Sequence, residues 1–146
     1  MHREGGCACG AIRFSIDAPL LGAGACHCTD CQKLAGGGPN YVALAPKGTV
    51  EVTQGEPKLY HRPGESGEDV TRAFCGNCGT PLWSVPASAP FLTIKVGAFD
   101  DYSDLAPQMH VYVSSAPSWH SLPADLPTFA KMPPPDVAPA RRSGVG

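Results

Sequence analysis

The sequence of 146 residues contains no apolar run near the roughly 18 residues that a membrane-spanning helix needs. It has no excess of basic residues either: the formal net charge is -2 and the pI is about 6.2. This balance disfavours nucleic acids and anionic membranes as partners. The first residues, Met1 to Gly6, are polar with no apolar segment behind them, so we expect no secretory signal and a cytoplasmic protein.

Glycine and proline are abundant, with 17 and 16 residues, which favours short strands joined by turns and few helices. The length fits one domain, and a hydrophobic content of 42% is enough for a core. Apolar and polar residues alternate from residue 10 to residue 17, which predicts a strand with one buried face. We expect a folded domain over residues 1–132 and a Pro-rich, disordered tail over residues 133–146.

The seven cysteines fall into three clusters, each with metal-ligand spacing. The clusters are Cys7 and Cys9; Cys26, Cys28 and Cys31; and Cys75 and Cys78. In a reducing compartment, clustered cysteines favour metal or redox chemistry over disulfides. A structural zinc site normally has four protein ligands, whereas a catalytic site has three and an open position. Seven cysteines therefore allow one site of each kind.

Four of the cysteines would form the closed site. Between Cys9 and Cys75 there are 65 residues, so one metal ion would join the start of the chain to its middle. In a small β domain such a link contributes directly to folding free energy. We therefore expect this site to stabilise the fold and to do no chemistry.

Cys26, Cys28 and Cys31 have no fourth cysteine left to join them. The candidates for the fourth position are solvent, a carboxylate, or one of the histidines His27, His61, His110 and His120. Strand alternation predicts that His27 points away from its two cysteine neighbours. An open position would accept another soft ligand such as a thiol, and a histidine would instead complete a second structural site.

A short helix is predicted to start at Thr29, as its cap, and to run to about Leu34. Lys33, just after the three-cysteine cluster, could meet a substrate carboxylate, and so could Arg72. A solvated surface side chain is the simpler interpretation for both.

With these residues in view, the chain resembles the glutathione-dependent formaldehyde-activating enzyme family, also called the centromere protein V/GFA domain. The matching segments are residues 6–14 (GCACGAIRF), 26–33 (CHCTDCQK), 74–82 (FCGNCGTPL) and 107–113 (PQMHVYV), with Trp119. The resemblance implies a mostly β, Mss4-like fold. It also implies two zinc ions per chain, one structural on Cys7, Cys9, Cys75 and Cys78 and a second on Cys26, Cys28 and Cys31.

In the enzyme that gives this family its name, glutathione and formaldehyde combine to S-hydroxymethylglutathione, a reaction classed with the carbon–sulfur lyases. The resemblance thus implies an enzyme that forms or cleaves a thiol–aldehyde adduct, with glutathione as the small-molecule thiol and the three-cysteine cluster as the catalytic site. The alternative is a non-catalytic zinc protein that binds glutathione or another thiol as a carrier or sensor. A methionine-sulfoxide reductase would need a free nucleophilic cysteine, and the clustering argues against one.

Overall fold

The computed structural model describes residues 1–134, so the predicted tail lies almost entirely outside the described residues. The strands are β1 Arg3–Gly6, β2 Arg13–Ile16, β3 Gly22–Cys26, β4 Asn40–Pro46, β5 Val50–Gln54, β6 Lys58–Pro63, β7 Asp69–Phe74, β8 Pro81–Pro86, β9 Phe91–Lys95 and β10 His110–Val111. One α-helix, α1 Thr29–Leu34, and two 3-10 turns, Val96–Ala98 and Val113–Ser115, complete the regular structure of this part of the chain. The prediction of a mostly β fold with few short helices is confirmed. Within residues 1–134, no helix has the length and apolar character to span a membrane.

The strands form two sheets. A small sheet has the order β1-β2-β5, and a large sheet has the order β10-β3-β4-β9-β8-β7-β6. Neighbouring strands are antiparallel in both sheets, except that β10 is parallel to β3. The predicted strand over residues 10–17 is shorter than expected, because residues 7–10 turn to present two cysteines before β2 begins.

The core lies between the two sheets. Phe14 of β2 is 1% exposed and packs edge-to-face on Trp83 of the large sheet and on Phe99. Close approach at this point requires a glycine at position 5: a Cβ there would lie 2.2 Å from the carbonyl oxygen of Ala98. The sheets therefore pack tightly beside the turns that carry the cysteines.

The large sheet turns one face to this core and the other away from it. Ala43 and Ala45 of β4, with Leu92 and Ile94 of β9, belong to the core. Because side chains alternate along a strand and paired residues share a face, the intervening positions point to the opposite side. We call this side the site face; the register places on it Cys26, Asn40, Lys95, Ser84, Arg72 and Tyr60, from β3, β4, β9, β8, β7 and β6.

Candidate metal sites and the adjoining pocket

The four-cysteine group joins the two sheets. Cys7 and Cys9 lie in the turn between β1 and β2, and Cys75 and Cys78 lie in the turn between β7 and β8. All four cysteines are free, and their sulfur atoms lie within 4.8 Å of one another. The structure thus brings together the four cysteines predicted to share one site, and the group could hold a metal ion.

Backbone and side-chain N–H groups point at these sulfurs. The amide of Ile12 donates to Cys7 Sγ at 3.2 Å, and the amides of Asn77 and Cys78 donate to Cys75 Sγ at 3.4 Å. The hydroxyl of Thr80 contributes most to lowering the pKa of Cys78, to about 5. Such donors stabilise sulfur in the thiolate form, which is the form that ligates metals.

The three-cysteine group is built at the junction of β3 and α1. Cys26 ends β3, Cys28 precedes the helix and Cys31 lies in its first turn, and the three sulfurs lie within 4.8 Å of one another. Cys28 is the N-cap of the helix, since its sulfur accepts from the Cys31 amide at 3.3 Å. The prediction of Thr29 as the cap is therefore wrong by one residue: Cys28 is the cap, and Thr29 is the first residue of the helix, which ends at Leu34 as predicted.

The three sulfurs share negative charge unequally. Hydrogen bonds from Cys26 and Cys28 lower the pKa of Cys31 to about 2, whereas the pKa of Cys26 is raised. The amide nitrogen of the Asn40 side chain adds a longer contact to Cys31 Sγ at 3.6 Å. The group therefore keeps a thiolate at neutral pH, which suits a metal cation.

None of the histidines in the described part of the chain completes this group. No histidine, aspartate or glutamate of residues 1–134 brings a ligand atom within 4.8 Å of all three sulfurs. His61 instead bonds to Thr71 at 2.7 Å. His27 is fully buried and contacts His110 and His120, so the prediction that it points away from the cysteines is confirmed.

The three buried histidines form a chain of hydrogen bonds with a fixed direction. His120 Nε2 lies 2.8 Å from the carbonyl oxygen of Gly37, which can only accept, so this nitrogen carries a proton. In the neutral state His27 must then donate through Nδ1 to His120 Nδ1 and accept at Nε2 from His110 Nδ1, each at 2.8 Å. Burial lowers the pKa of His27 and His110, which favours this neutral arrangement. The chain ties the loop after α1 to β10.

Next to the helix, the site face opens into a pocket of about 200 Å³. Among its lining residues are Leu34, Tyr60, Arg72, Trp83, Ser84 and Lys95. Lys95 is 7% exposed, and its Nζ donates to Ser84 Oγ at 3.0 Å. Burial lowers the pKa of Lys95 to about 8.

Arg72 is not the solvated surface residue that the simpler interpretation predicted. Its side chain is 12% exposed, and Nη2 lies 3.6 Å from Asp30, which immediately precedes Cys31. Arg62 reaches the same carboxylate at 3.5 Å from a more exposed position. Lys33 is exposed, in agreement with that interpretation.

Fold and sites together define a class: a small, two-sheet β protein with two cysteine groups that could each hold a metal ion. The chain belongs to the glutathione-dependent formaldehyde-activating enzyme family, whose model matches residues 2–115. The resemblance inferred from the cysteine motifs is thereby confirmed.

Two known proteins are similar to this chain. A relative from Halomonas elongata, provisionally named a glutathione-dependent formaldehyde-activating enzyme, is 30% identical over 132 residues, which cover 82% of this chain and 80% of the relative. The crystal structure of a Rhodobacter sphaeroides protein matches with a TM-score of 0.56 and 23% identity, over 70% of this chain and 94% of that one. The second likeness concerns the fold alone.

Proposed function

We propose that this protein is a zinc-dependent enzyme of the carbon–sulfur lyase type, which forms or cleaves the adduct of a thiol and an aldehyde. The substrates that the family name suggests are glutathione and formaldehyde. One observation carries the proposal: three sulfurs lie together, and no fourth ligand from residues 1–134 joins them.

The two cysteine groups would have different roles. Cys7, Cys9, Cys75 and Cys78 would hold a structural zinc ion with all four positions filled. Cys26, Cys28 and Cys31 would hold the second ion and act as the catalytic site. Soft thiolate donors suit zinc in both groups. A zinc ion on three cysteines supplies an open position at which an incoming thiol is bound as its thiolate.

The chemistry needs no oxidant or reductant. A carbon–sulfur bond forms between the glutathione sulfur and the carbonyl carbon of formaldehyde, and the carbonyl oxygen becomes a hydroxyl. The proton that leaves the thiol ends on that oxygen, so atoms and charge balance. In this chain the side-chain amide of Asn40 would hold Cys31 Sγ in place. Cys28, as the N-cap of α1, would hold its sulfur close to Cys31.

The test measures turnover against the spontaneous reaction of the same substrates. Exchange between ¹³C-formaldehyde and S-hydroxymethylglutathione can be followed by NMR with the zinc-loaded protein. We expect acceleration by the native protein and none by Cys28→Ser, because the variant loses one of three ligands. Full activity in Cys28→Ser, or no acceleration by protein with both zinc ions bound, would refute the proposal.

A thiol carrier or sensor is the second candidate. It is favoured by the fact that no histidine or carboxylate of residues 1–134 sits within the three-cysteine group to move a proton. This candidate predicts that glutathione binds with zinc present while the exchange rate of formaldehyde stays at its spontaneous value.

A further inference from the structure

We propose that Lys95 is the buried counter-charge of the three-cysteine metal site, and that its charge sets how strongly the open position of that site holds an anionic ligand. The inference rests on the proposed function, because it concerns the metal ion that Cys26, Cys28 and Cys31 would hold. Lys95 is a positioning residue, since it acts through the metal site and not by contact with a reacting atom.

The strand register places Lys95 beside the sulfurs. Lys95 of β9 pairs with Val42 of β4 and is therefore diagonal to Asn40, and such diagonal neighbours lie about 7–8 Å apart. The side-chain amide of Asn40 lies 3.6 Å from Cys31 Sγ. Leu34 follows Cys31 by three residues in α1 and shares its helix face, and Leu34 and Lys95 line the same pocket. The lysine and Cys31 therefore border the same small region of the site face.

The ammonium group of Lys95 has no carboxylate partner in the part of the chain that the structure describes. The side chain is 7% exposed, and Nζ donates to Ser84 Oγ at 3.0 Å. Arg72, the other cation that lines the pocket, is already paired with Asp30 at 3.6 Å. Burial lowers the pKa of Lys95, and the charge that most opposes this effect is the thiolate of Cys31. Because a buried charge without a partner is costly, the thiolates are the anions that balance Lys95.

The charge of the metal site determines which ligands Lys95 would favour. Three thiolates and a divalent zinc ion carry one net negative charge, which the ammonium group of Lys95 neutralises. A thiol that binds at the open position loses its proton and adds a second negative charge. Imidazole, which also suits zinc, binds as a neutral ligand and adds no charge. Lys95 therefore stabilises a bound thiolate more than a bound neutral ligand.

The test compares an anionic ligand with a neutral one on zinc-loaded protein. The two ligands are 2-mercaptoethanol, which binds as its thiolate and carries no carboxylate, and imidazole. Binding of each is measured by isothermal titration calorimetry, with zinc content determined on the same samples. Lys95→Met removes the charge and keeps a flexible side chain, and Lys95→Arg keeps a charge. Lys33→Met is the matched control, because Lys33 lies two residues after Cys31 but is exposed to solvent.

We expect Lys95→Met to bind 2-mercaptoethanol about tenfold more weakly than the native protein, since unit charges some 10 Å apart inside a protein change an equilibrium by that order. Imidazole binding and zinc content should not change, because all three sulfurs remain. Lys95→Arg should recover part of the thiol affinity. Lys33→Met should bind both ligands as the native protein does, because solvent and salt screen an exposed charge. If Lys95→Met does not fold, Lys95→Gln carries the same comparison.

The proposal is overturned if Lys95→Met binds 2-mercaptoethanol as tightly as the native protein, or if its binding of imidazole weakens equally. An equal loss of thiol affinity in Lys33→Met would also overturn it. So would loss of a zinc ion from Lys95→Met, since the lysine would then support the site as a whole and not its fourth position.

These measurements separate the inference from the proposed function. Weaker thiol binding in Lys95→Met, with no acceleration of formaldehyde exchange by the native protein, supports the counter-charge and contradicts the lyase. Unchanged thiol binding in Lys95→Met, with acceleration by the native protein, overturns the counter-charge alone. A native protein that holds two zinc ions but binds neither ligand contradicts both.

Discussion

Replacing Cys75 by serine removes one of four sulfurs that join the small sheet to the large one, and we expect the domain to lose much of its stability. A cross-link that closes the 65 residues between Cys9 and Cys75 restricts the unfolded chain by about 4 kcal/mol. Loss of a metal ligand removes this contribution. It also removes the sulfur that lies 3.8 Å from Cys9 Sγ. In a chain of this size, 1 kcal/mol corresponds to a change in Tm of about 3 °C, so Tm should fall by about 12 °C or more.

Cys28→Ser is the matched control for Cys75→Ser. Its site uses three residues within one short segment, so the ligands restrict the unfolded chain far less. Serine is also a preferred N-cap, so it can replace the sulfur that accepts from the Cys31 amide. We expect Cys28→Ser to lower Tm by less than about 4 °C.

Circular dichroism during thermal unfolding gives the Tm of both variants, and zinc content is measured on the same samples. The assignment of a structural role to the four-cysteine group fails if Cys75→Ser keeps the native Tm. It also fails if the two variants lose equal stability.

Further predictions concern packing and pH. Gly5→Ala should lower the free energy of unfolding by about 1–3 kcal/mol, because its Cβ would lie 2.2 Å from the Ala98 carbonyl oxygen; Gly38→Ala, which meets no atom within 4 Å, should not. Urea denaturation of both variants checks this, and equal effects would contradict it. Burial lowers the pKa of Lys95 from 10.5 to about 8, so the unfolded chain binds more protons between these values. The free energy of unfolding should therefore rise with pH across this window, by about 3 kcal/mol at most. Lys95→Met should remove this rise. If the free energy of unfolding of the variant depends on pH as that of the native protein does, the pH dependence does not come from Lys95.

Both cysteine groups could be predicted from the sequence because the relevant information is local. A C-x-C or C-x-x-C spacing places two sulfurs on one turn, and the count of seven leaves a three-ligand group. The orientation of His27 followed for the same reason, since alternation is a property of neighbouring residues. The pairing of Cys7 and Cys9 with Cys75 and Cys78 followed from the four ligands that a closed zinc site requires.

The pocket beside Arg72 and Lys95 could not be predicted in this way, because it depends on the register of several strands. Arg72 and Lys95 are 23 positions apart in the sequence and meet only when β7, β8 and β9 pair. Strand β1 was also not predicted, since Arg3–Gly6 has no alternating pattern. Its two glycines instead reflect close approach to the backbone at Ala98 and Ile12, which is a property of the packed fold.

The central claim is that Cys26, Cys28 and Cys31 form an open metal site that accepts a thiol. Native mass spectrometry of the purified protein during a glutathione titration tests it most directly, with Cys28→Ser in parallel. The account predicts two zinc ions on the native protein, a response to glutathione as an adduct or as loss of one zinc ion, and a single unresponsive zinc ion on Cys28→Ser. Two zinc ions that remain bound without any adduct at saturating glutathione would contradict the account.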